Sequence, residues 1–452
     1  MTFKRTVTEQ LGQWKGAEDR KPLILRGARQ VGKTTLVEEF AKNYDHFIPL
    51  NLEKSSDREF FEDYEEVPTL VEALLLSRDI SADQLSQTLL FIDEIQEFPR
   101  AIQQLRYFYE QLPDLHVIAA GSLLEFAMGH VESFPVGRVE YLYLYPLNFS
   151  EYLAAINHNA AQKLLLQTPI SPLGHKILMG LFHRYAIIGG MPEVIKKDIG
   201  DGNLANLPKV YESIWATYKD DVEKYASNTT EQRVIRHIMD TAPLYLDQRI
   251  KFHNFGNSNY RSREVGEAMR NLDAAKIIQL IYPTTDLEPP IKPDLRKSPR
   301  MQFLDTGLVN HTLNIQGRLL AMEDMGNAFK GALIPHLVTQ ELISLNSLSN
   351  IKPNFWVREK AQASSEVDLV YSYGDRIIPI EIKSGATGSL KSLHQFMDRA
   401  GHPYAIRMYS GEFRIEKAKT NAGTSFLLMN LPYCLGTQLP NYVSYFLSEH
   451  SL

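Results

Sequence analysis

The chain has a single cysteine, Cys434, so no intramolecular disulfide forms and a cysteine-based zinc centre within one chain is excluded. Cys434 reads as a small buried side chain. Long apolar runs are also missing: no stretch supplies the roughly 18 apolar residues that a membrane span requires. Met1 to Gly12 mixes Lys4, Arg5 and Glu9 with no apolar segment, and the expectation is a cytoplasmic enzyme without membrane contact. The 13 histidines include no H-E-x-x-H pair, which leaves zinc hydrolysis without an anchor; His336 and His394 read as ordinary polar positions. No G-x-G-x-x-G opens a helix, so NAD chemistry has no site. Nor is there a large excess of one charge. A net charge of −6 argues against a surface that clings everywhere to nucleic acid or acidic lipid, although a local basic patch stays possible in principle. Internal repeats and low-complexity tracts are absent.

What is present suggests several domains. At about 150 residues per domain, the length points to about three units, and a hydrophobic fraction of 44% is enough to build several cores. The first 150 residues alternate short apolar runs with helical patterns, the signature of a parallel α/β sheet. Strands are expected at Pro22 to Arg26, His46 to Leu50, Leu89 to Ile92, His116 to Ala120 and Val139 to Leu144. Between the first two, Leu36, Val37 and Phe40 recur at helical spacing and predict a helix from Thr34 to Asn43. Helical patterns then dominate to about residue 232, broken by a tight turn at Ile188-Gly189-Gly190-Met191-Pro192, and read as a helical lid.

From Arg233 to Thr284 the pattern gives two helices, one on Val234, Ile235, Ile238 and Met239, the other on Val265, Met269 and Leu272, and then a strand at Ile277 to Tyr282. Helices followed by a hairpin are what a winged helix shows. Pro283 to Pro299 reads as a loop. Its neighbourhood carries Lys292, Arg296, Lys297 and Arg300, close in sequence to Arg261, Arg263 and Arg270. These either converge as a nucleic-acid-binding patch or form the ordinary charge of a solvated loop. A helix around Leu333 to Leu345 and strands at Phe355 to Arg358, Val367 to Tyr371 and Ile377 to Ile382 make a second α/β unit. The expected division is therefore 1–150, 151–232, 233–312 and 313–452.

Chemistry concentrates first at Gly27-Ala28-Arg29-Gln30-Val31-Gly32-Lys33-Thr34, followed by Thr35, a full G-x-x-x-x-G-K-[ST] match placed after a strand and before a helix. The glycines let successive N–H groups face phosphate oxygens, Lys33 is placed to reach the β and γ phosphates of ATP, and the Thr34 hydroxyl to ligate Mg²⁺. Leu89-Leu90-Phe91-Ile92-Asp93-Glu94 supplies the second element, a buried strand ending in two acids. Asp93 is the expected Mg²⁺ partner and Glu94 the group that orients and polarises the attacking water. Ala119-Ala120-Gly121-Ser122 ends another strand, and Ser122 is assigned a sensing role beside the γ-phosphate. Arg138 is either an arginine that stabilises phosphoryl transfer from a neighbouring subunit of a homo-oligomer, or a surface ion pair.

The segments 27–35, Phe91-Ile92-Asp93-Glu94-Ile95-Gln96, Ala120-Gly121-Ser122, Gly189-Gly190-Met191-Pro192 and Phe303-Leu304-Asp305-Thr306-Gly307 resemble one family over essentially the whole chain. It is the group of bacterial and archaeal AAA-type ATPases that carry a carboxyl-terminal domain of unknown function. The resemblance implies an ATPase core, a helical and winged-helix middle, and a terminal domain similar to restriction endonucleases. Independently, Glu366-Val367-Asp368 and Pro379-Ile380-Glu381-Ile382-Lys383 place Asp368, Glu381 and Lys383 on one face of adjacent strands. Two carboxylates and a lysine there suit a second divalent cation and phosphodiester cleavage, a D then E-x-K arrangement that looks like a restriction-endonuclease-like site. One departure weakens it. The preceding helix commonly carries an acid in nuclease-competent members; the matching position here is Pro335, with Glu341 two turns away. The terminal domain is thus expected to be an active nuclease, a binding-only domain or a plain surface face. The whole chain acts on DNA or RNA, or switches a protein partner.

Overall fold

β1 (Leu23–Arg26), β2 (His46–Asn51), β3 (Thr88–Asp93), β4 (His116–Gly121) and β5 (Glu140–Tyr143) form one wholly parallel sheet in the order β2-β3-β4-β1-β5. All five lie where the apolar runs predict them, within a residue or two at their ends. β3 and β4 are buried along their whole length, which is why they read as unbroken apolar runs instead of alternating ones. Helices Lys33–Ala41, Val67–Ser77 and Pro99–Gln111 cover the sheet, and Leu70, Leu74, Leu90, Ile92, Ile102 and Leu105 share one core. β1 sits between β4 and β5 although β2 follows it in sequence. Connections therefore diverge at the carboxyl end of β1, the place where open α/β sheets take ligands.

The computed structural model describes residues 2–122, 135–226, 228–320, 331–358, 365–385 and 388–452. Two compact units divide the chain: one of Met1–Pro146, Ala274–Lys276 and Asn346–Asn350, containing the parallel sheet, and one of Leu147–Asp273, Ile277–Leu345 and Ile351–Leu452.

The second unit begins with helices, among them Phe149–Ala155, Pro172–Ile188, Pro208–Tyr225, Thr229–Thr241 and Ser262–Ala274. β6 (Ile278–Ile281), β7 (Pro283–Thr284) and β8 (Arg300–Phe303) follow, with β6 and β8 paired antiparallel. β9 (Asn354–Val357), β10 (Glu366–Tyr373), β11 (Arg376–Ile382), β12 (Tyr404–Tyr409), β13 (Arg414–Lys419) and β14 (Ser425–Pro432) complete the strands. These last six and β7 make a mixed sheet in the order β13-β14-β12-β11-β10-β9-β7. The expected loop from Pro283 to Pro299 is thus a loop only after Thr284. Pro283 is tolerated in the sheet because β7 is an edge strand, where a missing N–H donor need not cost a ladder bond.

The tight turn at Gly189-Gly190 is one half of a packing joint. Gly190 N donates to Asp305 Oδ2 (2.6 Å), Leu147 N donates to Gly190 O (2.7 Å), and Leu308 N donates to Asp305 Oδ1 (3.0 Å). A Cβ on Gly190 would lie 2.0 Å from Leu147 O, and one on Gly307 2.0 Å from Ile188 O. The Gly-Gly-Met-Pro and Phe-Leu-Asp-Thr-Gly segments therefore meet each other.

Beside this joint Glu341, on the helix Leu333–Ser344, is fully buried; its carboxyl accepts from Phe149 N (3.0 Å) and Tyr185 O–H (2.8 Å). Burial raises its pKa to about 8, against the opposing effect of those two donors. A carboxyl that ionises near its ordinary value in the unfolded chain and only near 8 in the fold stabilises the fold fully below the unfolded pKa. That contribution is lost as pH rises through 8. Thermal midpoints should accordingly fall between about pH 5 and about pH 8.5, and Glu341→Gln should flatten that slope. An unchanged slope in the variant would remove Glu341 as its source.

Candidate nucleotide site and the terminal carboxylate cluster

The loop after β1 is shaped by backbone conformations that side chains resist. Gln30 (φ 61°) and Gly32 (φ 96°) lie in the left-handed region, and a Cβ on Gly27 would sit 2.3 Å from Leu144 O. Such a run curls successive N–H groups toward one centre. Gly32 caps the helix Lys33–Ala41 without any side-chain acceptor, so the helix amino terminus adds its own N–H groups and positive end. Lys33 is buried, and its Nζ donates to the carbonyls of Gly27 and Ala28, both at 2.9 Å. Burial lowers its pKa to about 8, with Glu94 and then Asp93 acting the other way.

Thr34 Oγ1 donates to Asp93 Oδ2 at 2.7 Å, bringing the loop and the end of β3 together as the sequence reading expects. Asp93 is buried, and desolvation raises its pKa, partly offset by the Thr34 hydrogen bond. Its other oxygen accepts from Glu94 N at 3.0 Å. Glu94 has φ 50° and ψ 45°, a left-handed conformation uncommon for a residue with a side chain and frequent at functional sites. Gln96 Nε2 donates to Glu94 Oε2 and fixes that carboxylate from the following turn.

Ser122 follows β4, buried, with Arg29 Nε 3.4 Å from its hydroxyl; Arg29 also reaches Glu53 at 3.4 Å. Arg138 lies in a turn closed by its own N–H to Pro135 O, half-exposed, with its Nε 3.0 Å from Glu110 Oε1. The structure thus brings Gly27, Ala28, Arg29, Gln30, Val31, Gly32, Lys33, Thr34, Asp93, Glu94 and Ser122 to one sheet edge. Thr35 stands on the helix that follows, and Arg138 is engaged by an ion pair. Sequence reasoning missed Arg5. This buried arginine donates to Val31 O at 3.0 Å and to Tyr145 O, bracing the loop from outside. Its partners lie 26 and 140 residues away, so no local signal marks it.

In the second unit, Asp368 on β10 and Glu381 on β11 do share a face with Lys383, whose Nζ donates to Glu381 Oε1 at 2.7 Å. A second cation source dominates the cluster. Arg300 of β8 donates through Nε to Glu366 Oε1 (2.8 Å), through one terminal nitrogen to Asp247 Oδ1 (3.2 Å) and through the other to Asp368 Oδ1 (3.4 Å). Burial pushes the carboxyl of Asp247 above the usual carboxylate range, with Arg300 opposing, and raises that of Glu381 too, with Asp368 adding to the effect. Asp247 and Glu366 carry no motif and were not among the expected ligands. Pro335 and Glu341 leave the cluster without the missing helix acid, since Glu341 is bonded to Phe149 and Tyr185.

Two further expectations change. Arg300 is not part of an exposed basic patch but is held by Asp247, Glu366 and Asp368, while Arg263 pairs with Glu267 and both Arg296 and Lys297 pair with Asp294. His336 is no ordinary polar position. It is fully buried, with Nε2 accepting from Phe303 N (3.0 Å) and Nδ1 3.3 Å from Thr306 Oγ1, and burial drives its pKa to about 3. Among the described residues no helix is long and apolar enough to cross a membrane, and no cluster of three or more histidine, cysteine or acidic side chains has metal-binding geometry.

Residues 19–153 match the family described as an AAA domain, which makes this segment an AAA-type P-loop ATPase domain. Residues 179–319 and 330–429 match two families each described as a domain of unknown function. No curated protein matches the chain. Among solved structures, a Walker-type ATPase of Pyrococcus abyssi is similar at 13% identity and a TM-score of 0.44, covering 69% of this chain and 96% of that one. A signal-transduction ATPase with a tetratricopeptide-repeat sensor from Pyrococcus horikoshii gives 12%, 0.30, 76% and 46%, respectively. The Aeropyrum pernix ORC1 protein, solved in complex with DNA, gives 15%, 0.26, 70% and 91%.

Proposed function

We propose, from the premise of an AAA-type domain in residues 19–153, that this protein hydrolyses ATP with Mg²⁺ and uses the turnover to rearrange its remaining segments on nucleic acid. The observation that carries the reading is the Thr34–Asp93 contact with buried Lys33 and left-handed Glu94 beside it. Thr34 and Asp93 would hold Mg²⁺, which when bound would neutralise charge on the γ-phosphoryl group of ATP. Lys33 exchanges the carbonyls of Gly27 and Ala28 for phosphate oxygens, and the N–H groups from Ala28 to Thr35 cradle the rest. Glu94 orients a water and takes its proton, while Ser122, linked to Arg29, reads the γ-phosphate position.

The same reading makes 151–232 a helical lid, 233–312 a winged-helix segment and 313–452 a nuclease-like domain that transmits or binds and does not cut. Arg138 acts in trans in a homo-oligomer, leaving Glu110 when a neighbouring nucleotide is presented. The ion pairs that engage Arg263, Arg296, Lys297 and Arg300 favour one second reading, a nucleotide-dependent switch whose second unit binds protein.

The test is ATPase turnover measured alone and with single-stranded DNA, duplex DNA and RNA, scoring cleavage in the same tubes. Mg²⁺-dependent turnover stimulated by nucleic acid, with the nucleic acid left intact, is expected. Turnover indifferent to all three and raised by a protein partner would move the conclusion to the switch; no turnover at all would sink both.

A further inference from the structure

Similarity to restriction endonucleases calls for a divalent cation between Asp368 and Glu381, and the side chains around them do not fit one. A hard cation such as Mg²⁺ needs several oxygens within about 2.1 Å. Asp368 Oδ2 accepts from Ile382 N at 2.8 Å, and its Oδ1 faces a fixed positive charge, the Arg300 guanidinium at 3.4 Å. Glu381 Oε1 is taken by Lys383, which leaves Glu381 Oε2 as an oxygen without a partner. Each of the two carboxylates the cation would bridge already faces a fixed positive charge, the guanidinium on Asp368 and the ammonium on Glu381, and these repel a divalent ion placed between them.

Arg300 fits the place instead. Its planar fork reaches Glu366, Asp247 and Asp368 with separate N–H groups, a use of geometry that a spherical ion does not share. Its guanidinium lies 4.7 Å from the centre of the Phe355 ring, which supports the cation from below. The carboxylates come from elements far apart in the chain: Asp247 precedes β6, and Glu366 and Asp368 lie on β10. We infer that the Arg300 guanidinium is the resident cation of this carboxylate cluster, so that the terminal sheet of this chain takes no divalent metal there. The residue ties β8 to β10 with a charge that cannot dissociate. Metal-dependent cutting at this position is therefore built out of the chain, independently of whether the nucleotide site turns over.

Manganese(II) alone is the probe, titrated into the full chain without nucleotide and followed by electron paramagnetic resonance. Every arm carries Asp93→Asn, which removes the carboxylate proposed to hold metal at the nucleotide site. In this background Mn²⁺ titrations with and without Asp368→Asn should coincide. Arg300→Met should create a bound Mn²⁺ at least about tenfold tighter than any in the parent, abolished by adding Asp368→Asn, because it leaves the carboxylates without their counter-ion. Arg300→Lys, which keeps the charge, should behave as the parent. The inference is overturned if the parent binds Mn²⁺ in a way that Asp368→Asn removes, or if Arg300→Met has native circular dichroism and gains no metal. Should Arg300→Met fail to fold, the parent against Asp368→Asn comparison decides alone: coincidence supports the guanidinium, and a difference overturns it.

Discussion

A Glu94→Gln protein is expected to bind ATP as the parent does and to turn it over at least about a hundredfold more slowly, the low end of what a positioned general base contributes. The amide keeps the size and the contact with Gln96 but takes no proton from water. Lys33→Ala should act at the earlier step. It removes a buried ammonium whose present acceptors, the Gly27 and Ala28 carbonyls, mark where phosphate oxygens would compete for it, and binding should be lost. Equilibrium binding of a fluorescent ATP analogue and steady-state phosphate release separate the two cases. Full hydrolysis by Glu94→Gln would remove Glu94 from the chemistry while leaving the binding loop intact. Tight binding by Lys33→Ala would show that the backbone cradle and helix terminus suffice.

The largest expected effect on stability comes from the smallest substitution. Gly190→Ala puts a methyl group 2.0 Å from Leu147 O and 3.0 Å from Leu147 N, both backbone atoms with no rotamer to change. Either the Leu147 N–H to Gly190 O bond or the Gly190 N–H to Asp305 bond must then open in a buried place. Overpacking and a lost buried hydrogen bond together cost about 3 kcal/mol or more, a fall in thermal midpoint of roughly 6–12 °C. Gly180→Ala is the control. It lies exposed in the helix Pro172–Ile188 with nothing within 4 Å of its added Cβ, and should be neutral or stabilise by about 0.5–1 kcal/mol. Equal midpoints for the two variants would refute the packing account.

The parallel sheet was legible because its signal is local. Leu89-Leu90-Phe91-Ile92 is apolar at every position since both faces of β3 are covered, and the loop before Lys33 carries all its special positions within eight residues. The proximity of Thr34 and Asp93 was legible for the same reason, since each opens or ends an element next to the sheet edge. What escaped is held through space. Arg5 braces Val31 from a segment that reads as ordinary polar sequence. Arg300 looked like one more cation in a basic loop, because nothing in Ser298-Pro299-Arg300 tells that Asp247, Glu366 and Asp368 converge on it. His336 misled for a similar reason: a histidine is equally at home in water or, once its ring nitrogens find Phe303 and Thr306, in a core. Pro283 read as loop because proline is rare in strands, and only the edge position of β7 makes it an exception.

The Gly190–Asp305 hydrogen bond spans 115 residues, and each side of it leaves no room for a side chain on the other. For anyone recombining this chain with a relative, a crossover placed between residues 192 and 303 inherits one half of the joint from each parent. Such chimeras should succeed only when both parents carry matching halves, so that two short stretches distant in sequence travel as a single heritable block.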